Sequence, residues 1–306
     1  MSKRDKRLIV IIILTIIGMI GLLGYGVYVK HNQGAMIKSY ERQVETNVDL
    51  ADEDLAKAED YNRVIQDFLR NRGNSSTVNS LKDYEKIFEK NDGMIGVLTI
   101  PKIDVRLPIY HGTDDATLDK GVGHVSDTAF PMDTEGTKSV LTGHNGMPGA
   151  DMLFTRLDET TIGDEFVIQI GDMGYHYKVK QMIVITPEEA EEYAQEPINE
   201  SDPANVTLIT CTPYGINTHR LLVIGEFVEK ARVSENKDIV PSVGFSIGKE
   251  TIFMLIIIGI GLGIISVVVY KVRKNNKALS NIESDDYDDY DDYDGYEVDD
   301  KYWDVD

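Results

Sequence analysis

Two stretches of this chain carry no charge: residues 8–29, 22 in a row, and residues 251–270, 20 in a row. At ~1.5 Å rise per residue, each is long enough as a helix to cross a ~30 Å hydrocarbon core. The first exceeds the ~7–15 apolar residues of a signal-peptide core and has no clear A-x-A cleavage pattern after it, so a retained anchor is expected. The second contains Gly259, Gly261 and Gly263 and no charge, which suits lipid better than a soluble core. Lys3, Arg4, Lys6 and Arg7 precede the first run, and Lys271, Arg273, Lys274 and Lys277 follow the second. Segments rich in Lys and Arg stay in the cytoplasm, so both termini are expected inside and the intervening chain outside.

Charge and cysteine content narrow the function classes. The net charge is −21, and residues 283–306 alone hold 13 acidic side chains against one Lys. Such a balance argues against a nucleic-acid binder working through a basic face. The Asp-Asp-Tyr triplet occurs three times over residues 285–293, and a block this acidic is expected to be a disordered cytoplasmic tail. A single cysteine excludes an intrachain disulfide and a Cys-rich zinc site, and nothing in the sequence demands a cofactor or a metal.

Between the apolar runs the texture changes twice. Residues 36–70 lack Pro and Gly and carry Val44, Val48, Leu55, Val64, Ile65, Phe68 and Leu69 at loosely helical spacing, which predicts one or two amphipathic helices. Residues 71–77 are all turn and loop formers and read as a flexible link, with a short helix expected near residues 81–88. From Gly93 the chain becomes β-like. Strands are expected at residues 94–100, 105–110, 139–142, 165–170, 175–184, 205–210 and 221–228, separated by Gly, Pro, Asn and Asp. Two helical interruptions are expected, at residues 116–121 and 188–195. Many short strands of this kind point to a barrel or sandwich. The predicted organisation is a cytoplasmic stub (1–7), a transmembrane helix (8–29), an extracytoplasmic helical or lid region (30–90) and a β-domain (91–232). A linker (233–250), a second transmembrane helix (251–270) and a basic then acidic tail (271–306) complete it.

Cys211 follows the β-run Val206-Thr207-Leu208-Ile209-Thr210 and precedes Thr212-Pro213-Tyr214-Gly215. A thiol where a strand opens into a loop is placed to act as a nucleophile, although a lone free cysteine also serves as a small buried hydrophobe. Of the six histidines, His144 sits in Leu141-Thr142-Gly143-His144-Asn145-Gly146, again where a strand-like run meets a Gly-bearing loop. Sequence separation alone does not decide whether it reaches Cys211. Arg220, nine residues after Cys211 in a hairpin-like arrangement, is placed to offer fixed positive charge or oxyanion donors beside the thiol.

Residues 207–223, TLITCTPYGINTHRLLV, resemble the TLxTC signature of the sortase transpeptidases of Gram-positive cell surfaces, with its downstream arginine. They are most similar to the class C, pilin-polymerising version. Residues 141–158 (LTGHNGMPGADMLFTRLD), 96–113 (GVLTIPKIDVRLPIYHGT) and 120–124 (KGVGH) resemble that class as well. The resemblance implies a mainly β fold, a closed eight-stranded barrel with N-terminal helices, here flanked by two transmembrane helices. It also implies roles: Cys211 as nucleophile on an LPXTG-like sorting signal, His144 as general acid then base, and Arg220 as stabiliser of substrate and oxyanion. The acyl group would pass from the thioester to an amine, a pilin lysine or a cell-wall precursor. A housekeeping wall-anchoring sortase and a non-catalytic membrane β-domain scaffold are the competing readings. His111, His124 and His219 are expected to be structural, and Asp151 and Asp158 are weaker candidates for orienting His144 or binding a cation. Many class C members carry an Asp-Pro-aromatic lid over the cysteine, and residues 70–82 (RNRGNSSTVNSLK) contain no such tripeptide. Weaker autoinhibition is the expectation.

Overall fold

The structure is a computed structural model that describes residues 3–46, 48–71, 83–89, 93–147, 150–235, 240 and 249–285. All of the proposed link at 71–77 but residue 71, most of the lid segment and connector, and the tail beyond residue 285 lie outside those residues. Two compact units are present: residues 1–19 with 253–306, and residues 20–252.

The smaller unit consists of the start of helix α1 (Lys3–Thr46) and most of helix α5 (Lys249–Asp285). Both helices are long and apolar enough to cross a membrane, over Val10–Ser39 and Leu255–Lys274. Gly261 lets the two approach, because a Cβ there would sit 3.0 Å from the Ile16 side chain. Small residues at such contacts bring helix backbones close where no hydrophobic drive exists between apolar helices.

In the larger unit, strands β1 (Met94–Ile100), β2 (Val105–His111), β3 (Val122–His124), β4 (Lys138–Thr142), β7 (Glu165–Ile170), β8 (Met173–Ile185), β9 (Asn205–Thr212) and β10 (His219–Arg232) close into a barrel. Their order is β1-β2-β3-β4-β9-β10-β8-β7, with β7 returning to β1. The pairs β2–β3 and β4–β9 are parallel and the rest antiparallel. A separate hairpin, β5 (Asn145–Met147) and β6 (Ala150–Leu153), follows β4. The expected eight-stranded closed barrel is therefore present.

Strand alternation divides the apolar residues between two faces. Ile95, Leu98, Ile109, Val122, Leu141, Ile168, Val206, Leu208 and Val223 fill the interior. Helix α2 (Val48–Arg70) adds Leu55, Ala58, Tyr61 and Ile65 to the same core, a stripe at helical spacing. Asn62, fully buried, accepts from the Phe130 amide at 2.7 Å and donates to the Phe130 carbonyl at 3.0 Å, tying α2 to the barrel. Outside, Met94, Val97 and Tyr110 lie under Ile37 of α1, so all seven residues of β1 are buried. On the opposite wall, helix α4 (Pro187–Gln195) packs Ala190 and Ala194 over Val140, Ile209 and Leu222. A complete capping box, Thr186 with Glu189, starts α4 and secures its position. Helix α3 (Asp115–Leu118) leads through a tight turn into β3. Only a 3₁₀ turn, Tyr84–Lys86, appears within the described part of the short helix expected near 81–88.

Candidate active site

The wall under α4 leads to the site. Val140, Ile209 and Leu222 point outward beneath that helix, while Val206 and Leu208 point inward. Alternation along β9 therefore sets Cys211, two residues beyond Ile209, on the outer face. It is half-buried and unpaired with any other cysteine, at the point where β9 leaves the cover of α4. In the antiparallel ladder Cys211 lies directly opposite Arg220 of β10. Residues opposed in this way share a face with Cβ atoms about 4.5–5.5 Å apart.

His144 reaches the same row from the other side. Strand β4 runs parallel to β9 with Val140 against Thr207 and Thr142 against Ile209. Continued two residues beyond β4, that register sets His144 beside Cys211. Hydrogen bonds show that the strands stay together over this stretch. The Gly143 amide donates to the Ile209 carbonyl at 3.1 Å and the Thr210 hydroxyl to the Gly143 carbonyl at 2.8 Å. Asn145 Nδ2 donates to the Cys211 carbonyl at 2.5 Å. The Phe154 amide bonds the His144 carbonyl at 3.1 Å, and the Phe154 ring lies against Gly143 where a Cβ would come within 2.9 Å. The three sequence-predicted residues thus occupy one row of the sheet, His144–Cys211–Arg220, each from a different strand or strand extension.

The guanidinium of Arg220 folds back over its own turn. Its Nη1 donates to the carbonyls of Asn217 at 3.2 Å and His219 at 3.1 Å. Among the described residues its other donors have no protein acceptor, and a planar guanidinium offers five in all. The turn is shaped by Asn217 and Gly215, both at positive φ, and by bonds from the Ile216 and Asn217 amides to the Pro213 carbonyl. Tyr214 and Ile216 in this turn, and Val184 on the neighbouring β8, are exposed apolar side chains. Tyr214 lies against Gly146, whose φ of +82° and lack of Cβ leave room for the ring. That contact joins the turn after Cys211 to the hairpin after His144.

The other histidines stand apart. His124 is fully buried, with Nε2 2.8 Å from the Ala129 carbonyl and Nδ1 2.8 Å from the Tyr84 hydroxyl. The carbonyl fixes the proton on Nε2, so Nδ1 accepts from Tyr84. Burial pushes its pKa down to about 3, and the ring is neutral. His111 bonds the Gly93 carbonyl at 3.0 Å and is also lowered, chiefly by burial. His219 is exposed and meets the Thr218 hydroxyl at 3.0 Å. Asp158 is exposed in the 3₁₀ turn Leu157–Glu159, and the Asp151 side chain lies outside the described residues. The carboxylate seen facing His144 is Asp119, with Oδ1 3.9 Å from Nε2. Neither Asp119 nor Asn145 was singled out from the sequence. Asn145 had a signal in its position next to His144, whereas Asp119 lies 25 residues away and had none. No cluster of three metal-ligating side chains occurs among the described residues.

A thiol, an imidazole and a guanidinium share one row on the outer wall of a closed eight-stranded barrel. The Sortase domain family profile matches residues 98–228. Crystal structures of sortase C1 from Streptococcus agalactiae (31 % identity, TM-score 0.54) and sortase C from Clostridium perfringens SM101 (32 %, 0.51) are similar to this chain. The first alignment covers 63 % of this chain and 97 % of the other, the second 64 % and 99 %. Sortase D of Bacillus subtilis (strain 168) is 30 % identical over 136 residues, which is 44 % of this chain and 63 % of that protein's length. The chain belongs to the sortase family.

Proposed function

We propose that this chain is a membrane-anchored cysteine transpeptidase of the class C kind. In this reading it cleaves an LPXTG-like sorting signal between Thr and Gly and passes the acyl group to an amine, a lysine of the next pilin subunit. The observation that carries the reading is the row His144–Cys211–Arg220, set by the β4–β9 and β9–β10 registers. The similarity to the sortase C structures supports the class assignment.

The steps follow from that row. The Cys211 sulfur attacks the threonine carbonyl as thiolate, the reactive form that positive neighbours favour. The oxyanion that develops draws on guanidinium donors of Arg220, whose other donors are free to turn toward it. His144 protonates the departing glycine amine, leaving a thioester, and then takes a proton from the incoming amine as it displaces sulfur. Tyr214 and Ile216, in the turn that follows Cys211, supply exposed apolar surface suited to the leucine and proline of the signal. The two apolar helices hold the β-domain at the membrane where its substrates are tethered, raising effective concentration. Both termini lie in the cytoplasm in this reading, by the Lys and Arg flanking each run.

The full chain in lipid nanodiscs, incubated with a pilin bearing an LPXTG-like signal, tests it. A covalent ladder is expected, together with an acyl-enzyme adduct whose mass localises to Cys211. Cys211→Ala should lose both while keeping its fold, and Arg220→Lys, which keeps the charge but loses the fork, should slow transfer by about 10²-fold. Attachment only to a cell-wall precursor amine would favour the housekeeping reading. Failure to form any adduct would leave a non-catalytic scaffold.

A further inference from the structure

We propose that Asp119 is a positioning residue for His144, and that the part of α1 beyond the apolar run holds it in place through Gln33. The inference rests on the reading of His144 given above.

Asp119 closes α3, its amide bonded to the Asp115 carbonyl at 2.9 Å. The following Lys120 and Gly121 amides return to the Thr117 carbonyl at 3.0 and 3.2 Å, so the turn is tight. Gly121 presses it onto β2, since a Cβ there would lie 2.4 Å from the Pro108 carbonyl oxygen. One further bond comes from outside. Gln33 Nε2 of α1 donates to the Lys120 carbonyl at 3.0 Å, and Gln33 is 5 % exposed.

Gln33 is the first member of a stripe at four-residue spacing, Gln33, Ile37 and Glu41, which a helix presents on one face. Ile37 is buried against Met94, Val97 and Tyr110, and Glu41 pairs with Arg106 of β2. Met36 sulfur meets the Tyr110 hydroxyl at 3.4 Å. Residues 33–41 of the helix therefore run for two turns along the barrel wall and brace the turn whose carboxylate faces His144. Gln33 is four residues past Val29, roughly 6 Å along the axis by the helical rise, so the brace begins where the apolar run ends.

The carboxylate of Asp119 is half-exposed, as is His144. The carboxylate facing the imidazole is Asp119 on the α3 turn, and strand register sets Cys211 and Arg220 along the row. Of these Asp119 is the one that stabilises the imidazolium that forms when His144 takes the proton of the incoming amine.

The test needs no substrate. The full chain in nanodiscs is treated with diethylpyrocarbonate at one fixed pH, and the rate at which His144 is modified is read by peptide mass spectrometry. Asp119→Asn should raise that rate about 2-fold at low salt, the order expected when a charge ~4 Å away in a water-like, screened medium is removed. Asp119→Glu should restore most of the parent rate, and high salt should shrink the difference. Gln33→Ala should raise the rate by a smaller factor. A parent-like rate in Asp119→Asn overturns the role of Asp119, and a parent-like rate in Gln33→Ala overturns the brace. Absence of acyl transfer in the parent chain would count against the transpeptidase reading alone, because the rates are read without it.

Discussion

His124 makes folding of the barrel sensitive to acid. Its ring is fully buried, stacked on Phe130 at 5.1 Å and 6° and on Tyr84 at 5.6 Å and 27°. The folded pKa is about 3, lowered first by burial and further by the neighbouring His111, with the bond to Ala129 opposing. An unfolded histidine titrates near ~6.5. Between these values the unfolded chain binds a proton that the native chain refuses, so stability falls as pH falls. The contribution is complete above ~6.5, and at pH 5 about 2 kcal/mol of it is gone, at a limiting slope of ~1.4 kcal/mol per unit. His111, lowered in the same direction, steepens the loss. Comparing the parent with His124→Gln isolates the effect, because glutamine keeps a donor and an acceptor but takes no proton. Denaturant unfolding in detergent, followed by tyrosine near-ultraviolet circular dichroism, should find the variant less stable at pH 7.5 by about 1–3 kcal/mol from imperfect hydrogen bonds. The gap should close by about 2 kcal/mol at pH 5. An equal gap at both pH values would refute the reasoning.

Two further perturbations probe the site and its support. Gly146→Ala forces a Cβ to within 2.1 Å of the Tyr214 ring at a φ of +82°; a changed Cys211 alkylation rate and a lower melting temperature are expected. Adding Tyr214→Ala should relieve the clash but leave a backbone cost of about 1–2 kcal/mol, so only part of the melting temperature should return. Asn62→Ala removes both bonds to Phe130 inside the core; a loss of roughly 2–4 kcal/mol is expected, measured as reduced stability to denaturant.

Strand boundaries were most legible where local chemistry was strong. Residues 94–100, bounded by Gly93 and Pro101, and residues 165–170, ending at Gly171, match β1 and β7 as found. Three-residue β3 and the β5–β6 hairpin escaped notice, because segments that short carry no measurable period and exist through the partners they meet. Helix α2 was visible as an apolar stripe, but the use of Gln33, Ile37 and Glu41 to dock α1 was not, since polar residues after an apolar run look like solvated surface. The lid question falls on residues outside the described ones.

From residue types and local order alone, the chain's two apolar helices, its β-rich middle and the chemical reach of Cys211, His144 and Arg220 could be read. Those are properties of short windows, where hydrophobic period, breaker residues and side-chain chemistry act directly. Which of these groups become neighbours was decided by strand register. A one-residue slip of β4 or β10 against β9 would turn His144 or Arg220 to the barrel interior, away from the sulfur. The same holds for Asp119, brought to His144 by a turn wedged on β2 and bonded to a helix 87 residues earlier in the chain. Contacts between distant segments depend on the closed barrel as a whole, and no local window of sequence contains them.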